Sequence, residues 1–287
     1  ETAERLVNDL KSLNPIEFVH DFSYPFAGAA MARLTGTEDT QNIDSIFEWL
    51  RQTEKLSPVK PSDADILSIE NEMRKQNDYL LGIIQDRKTN PRDDIVGELL
   101  NAEIDGEPLT DYQLRNILEL FLTAGFHTVT HSLGMAMILF ARQPEILKQL
   151  RKDQSLIPGF IEELLRFYPS AQSILRQTTE DVSFGDTTIP KGEVVLTIVA
   201  SANRDETVFE DPDTFNMHRS NAKAHLGFGL GIHNCIGSGL ARLELRVAFE
   251  HLVRAFSRVN CAPDEELPWI KSFLSRGVSS LRLQLTG

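Results

Sequence analysis

A mainly α fold of the α+β kind is predicted. Helical periodicity dominates residues 1–170, strand alternation with turn residues crowds 173–200, and a glycine loop opening at 225 gives way to a last helix, the two filling 225–256. Helices precede strands, and no repeat or low-complexity linker separates them, so one unit is expected across 1–287.

The elements follow in chain order. "ETAERLVNDLKSL" spaces its apolar residues as a helix does. "SYPFAGAAMARLTG" reads as a helix with Pro25 in its first turn and Gly36 as its stop. Residues 62–88 predict a long amphipathic helix ending before "TNPRDD", and "DIVGELLNAEIDG" predicts another over 94–106. Thr110 is the expected N-cap of a very long helix running to about Arg142. "LIPGFIEELLRFYP" is a further helix, stopped by Pro169. From Ile174 the chain turns β-rich, with turns at Gly185-Asp186 and Pro190-Lys191-Gly192. An irregular polar stretch covers 203–234, a helix covers about 237–256, and "FLSRGVSSLRLQL" is β-like.

Composition excludes several functions. A net charge of −13 makes nucleic acid and anionic membranes poor partners. Two cysteines, Cys235 and Cys261, cannot supply a disulfide framework, so a reducing, cytoplasmic setting is expected. The most apolar long segment, 114–141, carries Arg115, Glu119, His127 and His131, too polar a set for a membrane span. No charged-then-apolar leader is read, and the opening residues, without Met, read as mid-helix and place the true N-terminus elsewhere.

Cys235 sits in "HLGFGLGIHNCIG", residues 225–237, with Gly227, Gly229 and Gly231 before it and Gly237 after. Glycines permit positive φ and close approach of backbone to something flat or bulky. The free N–H groups of the helix that follows favour a thiolate. A buried structural cysteine leaves four glycines in eleven residues unexplained. The spacing G-x-G-x-G misses the dinucleotide loop's G-x-G-x-x-G. Zinc held by His225, His233 and Cys235 lacks a fourth ligand. A catalytic thiol paired with His233 stays open, but has no need of so much glycine. A single thiolate bound axially to haem iron fits best.

"FGLGIHNCIG" resembles the haem-binding signature of the cytochromes P450, with Phe228, Gly231, His233, Cys235 and Gly237 in register with F-x-x-G-x-[HR]-x-C-x-G. The resemblance implies a P450 fold with a long central helix over haem b and small β-sheets. It implies Cys235 as the axial iron ligand, Phe228 beside the sulfur and His233 on a haem propionate. "EELLR" resembles the family's E-x-x-R, with Glu163 and Arg166 bracing the haem-side core. The family often adds an Arg in a P-E-R-F-like segment; here "PDTF" has Thr214, and Arg219 or His218 is at hand to replace it. Arg176 falls where many bacterial members bind a propionate. "AGFHTV" resembles the oxygen-binding groove, in which Ala124 and Gly125 let the helix bulge and Thr128 bonds dioxygen and helps deliver protons. His127 stands at the usual acid position, where an imidazole of pKa about 6.5 can also relay protons. His127 and His131, one turn apart, also hint at a metal pair, although Thr128 replaces the Glu that a zincin needs.

The implied activity is that of a haem-thiolate monooxygenase, inserting one atom of dioxygen into a small apolar substrate with electrons from ferredoxin and its reductase. The local positive cluster His218, Arg219, Lys223 and His225 is expected to dock the acidic donor. The family's opening quarter to third is not found, an N-terminal truncation that predicts either a longer parent chain or a second chain completing the fold. The alternative is a P450-like protein that is non-catalytic or repurposed, as a scaffold or for non-redox chemistry, with His127 as its mark.

Overall fold

In a computed structural model the chain is described at residues 1–13, 15–36, 49, 62–261 and 267–287. Helix α1 (Thr2–Leu10) buries Ala3, Leu6, Val7 and Leu10, the three-and-four spacing read from its sequence. A short strand β1 (Ile16–Glu17) and a π-turn (Val19–Ser23) lead into α2 (Tyr24–Leu34), with Pro25 in its first turn as predicted. Helices α3 (Asp63–Thr89) and α4 (Ile95–Leu100) follow, then the hairpin β2 (Glu103–Ile104) and β3 (Glu107–Pro108). The central helix α5 (Asp111–Arg142) precedes α6 (Pro144–Lys152) and α7 (Ile157–Phe167). Strands β4 (Ile174–Gln177), β5 (Val182–Phe184), β6 (Thr187–Ile189) and β7 (Val194–Thr197) come next. The chain closes with α8 (Val199–Ala202), α9 (Ser238–Ala255), β8 (Arg258–Cys261) and β9 (Arg282–Thr286).

Three expectations are corrected. The helix predicted over 94–106 stops at Leu100, because Asp105 and Gly106 both take positive φ (56° and 83°) and turn a hairpin that pairs Ile104 with Glu107. Helix α6 was missed; Pro144 opens it at a position where a missing N–H costs nothing. The β-rich run ends at Thr197, where α8 takes over, and only 282–286 of the tail is a strand. Upstream, Ser275 and Val278 make single bridges to Ala171 and Trp269.

Helix α5 organises the core. Its Thr110–Gln113 capping box satisfies the first turn, with Gln113 N–H donating to Thr110 at 3.3 Å and Thr110 N–H to Gln113 at 2.9 Å. Every residue from Val129 to Phe140 is buried, all but Thr130, His131 and Ser132 apolar or glycine, and the helix packs against α2, α7, α9 and β8. Phe140 stacks on Phe160 at 5.3 Å, and Phe160 meets Phe249 edge-on at 5.1 Å, locking α5, α7 and α9 together. By length and composition α5 could cross a membrane, but 72% of its most apolar stretch is buried inside the protein. Strand β9 joins β1 to β8 in an antiparallel sheet, pairing Ile16 with Leu283 and Val259 with Leu285. Strands β4 and β7 form a separate ladder, Ile174 opposite Thr197, and β5–β6 is a hairpin turned at Gly185.

Gly159 lets α7 lie against the irregular segment after α8: a Cβ there would stand 2.6 Å from the Met217 carbonyl oxygen. Gly159→Ala should therefore cost about 1–3 kcal/mol in a urea titration. Gly82→Ala on α3, where a Cβ meets nothing within 4 Å among the described residues, should be neutral or stabilising by up to about 1 kcal/mol.

Candidate active site

Cys235 is an exposed free thiol at the end of the glycine loop, directly before α9. Gly229 and Gly231 take positive φ (71° and 73°), where a side chain would be strained; Gly227 instead lies close to the Leu165 carbonyl. Three turns shape the loop: Gly229 N–H to Leu226 O at 2.9 Å, Asn234 N–H to Gly231 O at 3.0 Å, and Cys235 N–H to Phe228 O at 2.8 Å. The last ties the Cys235 backbone to that of Phe228. Gly237 caps α9, whose first N–H groups point back toward the cysteine. His233 and Gly231 are exposed on the loop.

Two adjacent carboxylates of α7 hold what surrounds this loop. Glu163 and Arg166, both with side chains 0% exposed, form a two-bonded pair at 2.7 and 2.8 Å. Arg166 also donates to the carbonyls of Asn203 (2.8 Å) and Pro212 (2.9 Å), and its guanidinium lies 5.2 Å from the Phe209 ring centroid. The third member of this brace is Arg219, whose Nε lies 3.2 Å from Glu163; His218 stays outside. The Asn216 N–H completes it at 2.8 Å. Glu162, next in line, takes two bonds from Arg242 (2.6 and 3.0 Å) and faces His225 Nε2 at 3.3 Å. Burial pushes the Glu162 carboxyl up, but the bonds from His225 and Arg242 outweigh it and hold it down at about 2.

This geometry corrects the expected docking cluster. His225 is buried against Glu162 and Arg219 is spent on Glu163, leaving only His218 and Lys223 of the four exposed. Neither zinc hint survives: no group of metal-ligating residues forms among the described residues, and His131 is buried with Nδ1 3.2 Å from the Ser170 hydroxyl.

On α5, Leu120, Ala124 and Thr128 are exposed at four-residue spacing and so share one stripe. The Thr128 hydroxyl donates to the Ala124 carbonyl at 2.8 Å. The expected bulge is absent: α5 stays α-helical through 124–128, and the π-turn lies at Val19–Ser23 instead. Gly125 faces away from the stripe, where a Cβ would stand 2.3 Å from Met31 Sδ; it admits α2 rather than a ligand. His127 is half-buried, edge-on to Phe126 at 5.2 Å and stacked with His131 at 6.1 Å. Arg176 is exposed on β4, its guanidinium bonded to its neighbour's carbonyl, Leu175 O.

The chemistry of these residues fits a haem. An exposed thiol is surrounded in its own loop by apolar side chains, Leu230 (78% exposed), Ile232 (96%) and Ile236 (86%). The β4–β7 ladder presents Leu175, Val194 and Leu196 likewise. Such an apolar surface matches a flat macrocycle, and Arg176 and His233 are cations or donors suited to its propionates. Sequence reasoning missed Asn203, Glu162 and Arg242. The signal was the doubled carboxylate of "EELLR": two adjacent positions on an 11-residue helix cannot both face water when its neighbours on every side are apolar.

The Cytochrome P450 family pattern matches residues 37–283. The chain is 34% identical over 285 residues to Cytochrome P450 107B1 of Saccharopolyspora erythraea, covering 98% of this chain and 68% of that one. It is 35% identical over 258 residues to Cyclomarin C epoxidase CymV of Salinispora arenicola, covering 90% of this chain and 65% of the epoxidase. Its structure superposes on Cytochrome P450 CYP109Q5 from Chondromyces apiculatus with a TM-score of 0.88 at 35% identity, covering 99% of this chain and 70% of that one.

Glu163→Gln should cost about 3–5 kcal/mol by denaturant titration, since it strands two buried guanidinium groups. Opposite pH signs are expected at two other carboxyls. Glu162 contributes stability that is complete above about 4.5 and is lost as pH falls toward about 2. Glu244 is buried on α9, its Oε2 without a hydrogen-bond partner among the described residues, and burial pushes its carboxyl up to about 8. Its contribution is complete below about 4.5 and is lost as pH rises toward 8. Thermal melts of Glu244→Gln should match the parent near pH 5 and exceed it increasingly toward pH 8, by at most about 1.4 kcal/mol per pH unit.

Proposed function

Since this chain belongs to the cytochrome P450 family, we propose that Cys235, Thr128, His127 and Arg176 serve its haem b in the oxidation of a small apolar substrate, with electrons drawn from a ferredoxin and its reductase in the cytoplasm. Haem-thiolate monooxygenase chemistry comes with that membership. The observation that carries the residue assignment is the exposed Cys235 thiol at the start of α9, inside an apolar rim.

When bound, the haem supplies the iron at which dioxygen is activated. The chain's residues do the rest. Cys235 gives a thiolate to the iron, and the N-terminal N–H groups of α9 lower the cost of its charge. Arg176 and His233 would hold the propionates of the bound haem. Thr128 keeps its hydroxyl on the open stripe of α5, parked on the Ala124 carbonyl, from which it can turn to donate to dioxygen. His127, one residue before it, would relay protons where the family usually has an acid. The stripe Leu120–Ala124–Thr128 is apolar or small, which favours an apolar substrate over a charged one. CymV, a relative, is named as a cyclomarin C epoxidase, an oxidation in keeping with that reading.

The donor's docking face moves from the segment around 218–225 to α9 and α6. Arg254 on α9 and Lys152 on α6 are exposed cations in a chain of net charge −13, flanked by Arg246 and Lys148, which are exposed but paired with Glu250 (3.2 Å) and Glu145 (3.4 Å). Arg151 ties the two helices, donating to Val253 and Phe256 carbonyls at 2.7 Å each. An acidic donor is steered to such a face.

The reduced carbon-monoxide complex of the purified chain should show the thiolate-type Soret band, and Cys235→Ala should lose it; a Cys235→Ala variant that keeps the band contradicts the assignment. In turnover with ferredoxin and reductase, His127→Asp should leave that band in place while product per electron pair changes by about tenfold or less. Robust haem binding without any product from the parent chain would instead favour a repurposed relative.

A further inference from the structure

Glu162 has a task separate from the Glu163 brace. Its carboxylate is the meeting point of two groups, His225 and Arg242, that both touch the cysteine loop. His225, the first residue of that loop, has a side chain 1% exposed and faces Glu162 through Nε2 at 3.3 Å. Its Nδ1 accepts the Gly227 N–H at 3.0 Å, leaving Nε2 to face Glu162. Arg242, one turn into α9, adds a two-bonded fork to the same carboxylate. The same guanidinium lies over the Phe228 ring, 4.5 Å from its centroid, and Phe228 accepts the Cys235 N–H. The Asn203 side chain adds a further post, accepting the Leu226 N–H at 2.7 Å.

The loop needs such posts. Residues 230–236 are exposed, and two of its glycines hold positive φ, so it orders at a high entropic cost with few bonds of its own. The anchors all lie on its two ends, 225–228 and 242, and all but Asn203 run through Glu162.

We propose that Glu162, His225 and Arg242 form a clasp that positions the Cys235 loop: Glu162 fixes the start of the loop through His225 and pulls its far side inward through Arg242 stacked on Phe228, so the sulfur is set before a cofactor arrives. These are positioning residues, and the proposal rests on the reading of Cys235 as the functional thiol. The clasp also explains why the two carboxylates of "EELLR" are both buried: Glu163 holds the segment 203–219, while Glu162 holds the loop that follows.

The test compares the parent chain with Glu162→Gln, Arg242→Met and Arg242→Lys, first without haem. Amide hydrogen exchange is read at Gly227 and Cys235, with Phe140 and Phe249 in the core as references, and iodoacetamide alkylation of Cys235 is timed against that of Cys261. In Glu162→Gln and Arg242→Met, exchange at Gly227 and Cys235 should rise about tenfold or more while the core references stay put. Arg242→Lys, which keeps the charge but not the fork or the flat stack, should fall between. After haem loading, the same order should appear as a growing share of the reduced carbon-monoxide band at the neutral-ligand position. Exchange within about twofold of the parent in both Glu162→Gln and Arg242→Met overturns the proposal. If Glu162→Gln fails to fold, Arg242→Met decides, because Arg242 is part-exposed on the surface of α9. A parent chain that takes up no haem defeats the functional reading alone, since the exchange comparison still stands.

Discussion

Two carboxylates side by side on one turn of α7 fix the course of the chain from Asn203 to Arg242. Neither Glu162 nor Glu163 reaches bulk water, and an ionised carboxylate in such surroundings needs partners on nearly every lone pair. The partners come from far along the chain: Arg219 and Asn216 for one, His225 and Arg242 for the other. Adjacent helix positions point about 100° apart, so one turn serves two segments without competition. The irregular stretch from Asn203 to Arg219 has little regular backbone pairing, and its shape is set by side chains donating to carbonyls, as Arg166 does to Asn203 and Pro212.

The aromatic knot of Phe140, Phe160 and Phe249 seals α5, α7 and α9 into a dry core. Beyond it the apolar side chains of the cysteine loop and of the β4–β7 ladder stand in the open, and so does the stripe on α5. Surfaces of this kind are costly for a protein unless something covers them, and a planar apolar cofactor gripped by a thiolate and edge donors has the right chemistry.

Much of this was legible in the residues. The spacing Phe228–Gly231–His233–Cys235–Gly237 has few other uses, and the helix that follows was visible from periodicity. The brace of Glu163 and Arg166 was legible too, since i and i+3 share a helix face. What was not legible depended on distance along the chain. Arg219 and His225 looked like exposed positive charge because nothing local shows that they fold back 56 and 63 residues onto α7. Gly125 looked like part of a ligand groove, yet its space is taken by Met31 of α2. The hairpin at Asp105-Gly106 was hidden inside a helical pattern that a two-residue turn overrides. Local rules read elements and motifs well; they do not read which buried carboxylate a remote cation will find.

Iron-edge X-ray absorption of the chain reconstituted with haem b tests the central claim most directly, because it reports the atoms bound to the metal. One sulfur neighbour in the parent chain, absent in Cys235→Ala, is the predicted result. An iron surrounded only by nitrogen and oxygen in the parent chain would contradict Cys235 as the ligand, and with it the purpose assigned to the loop, its apolar rim and the carboxylates that hold it.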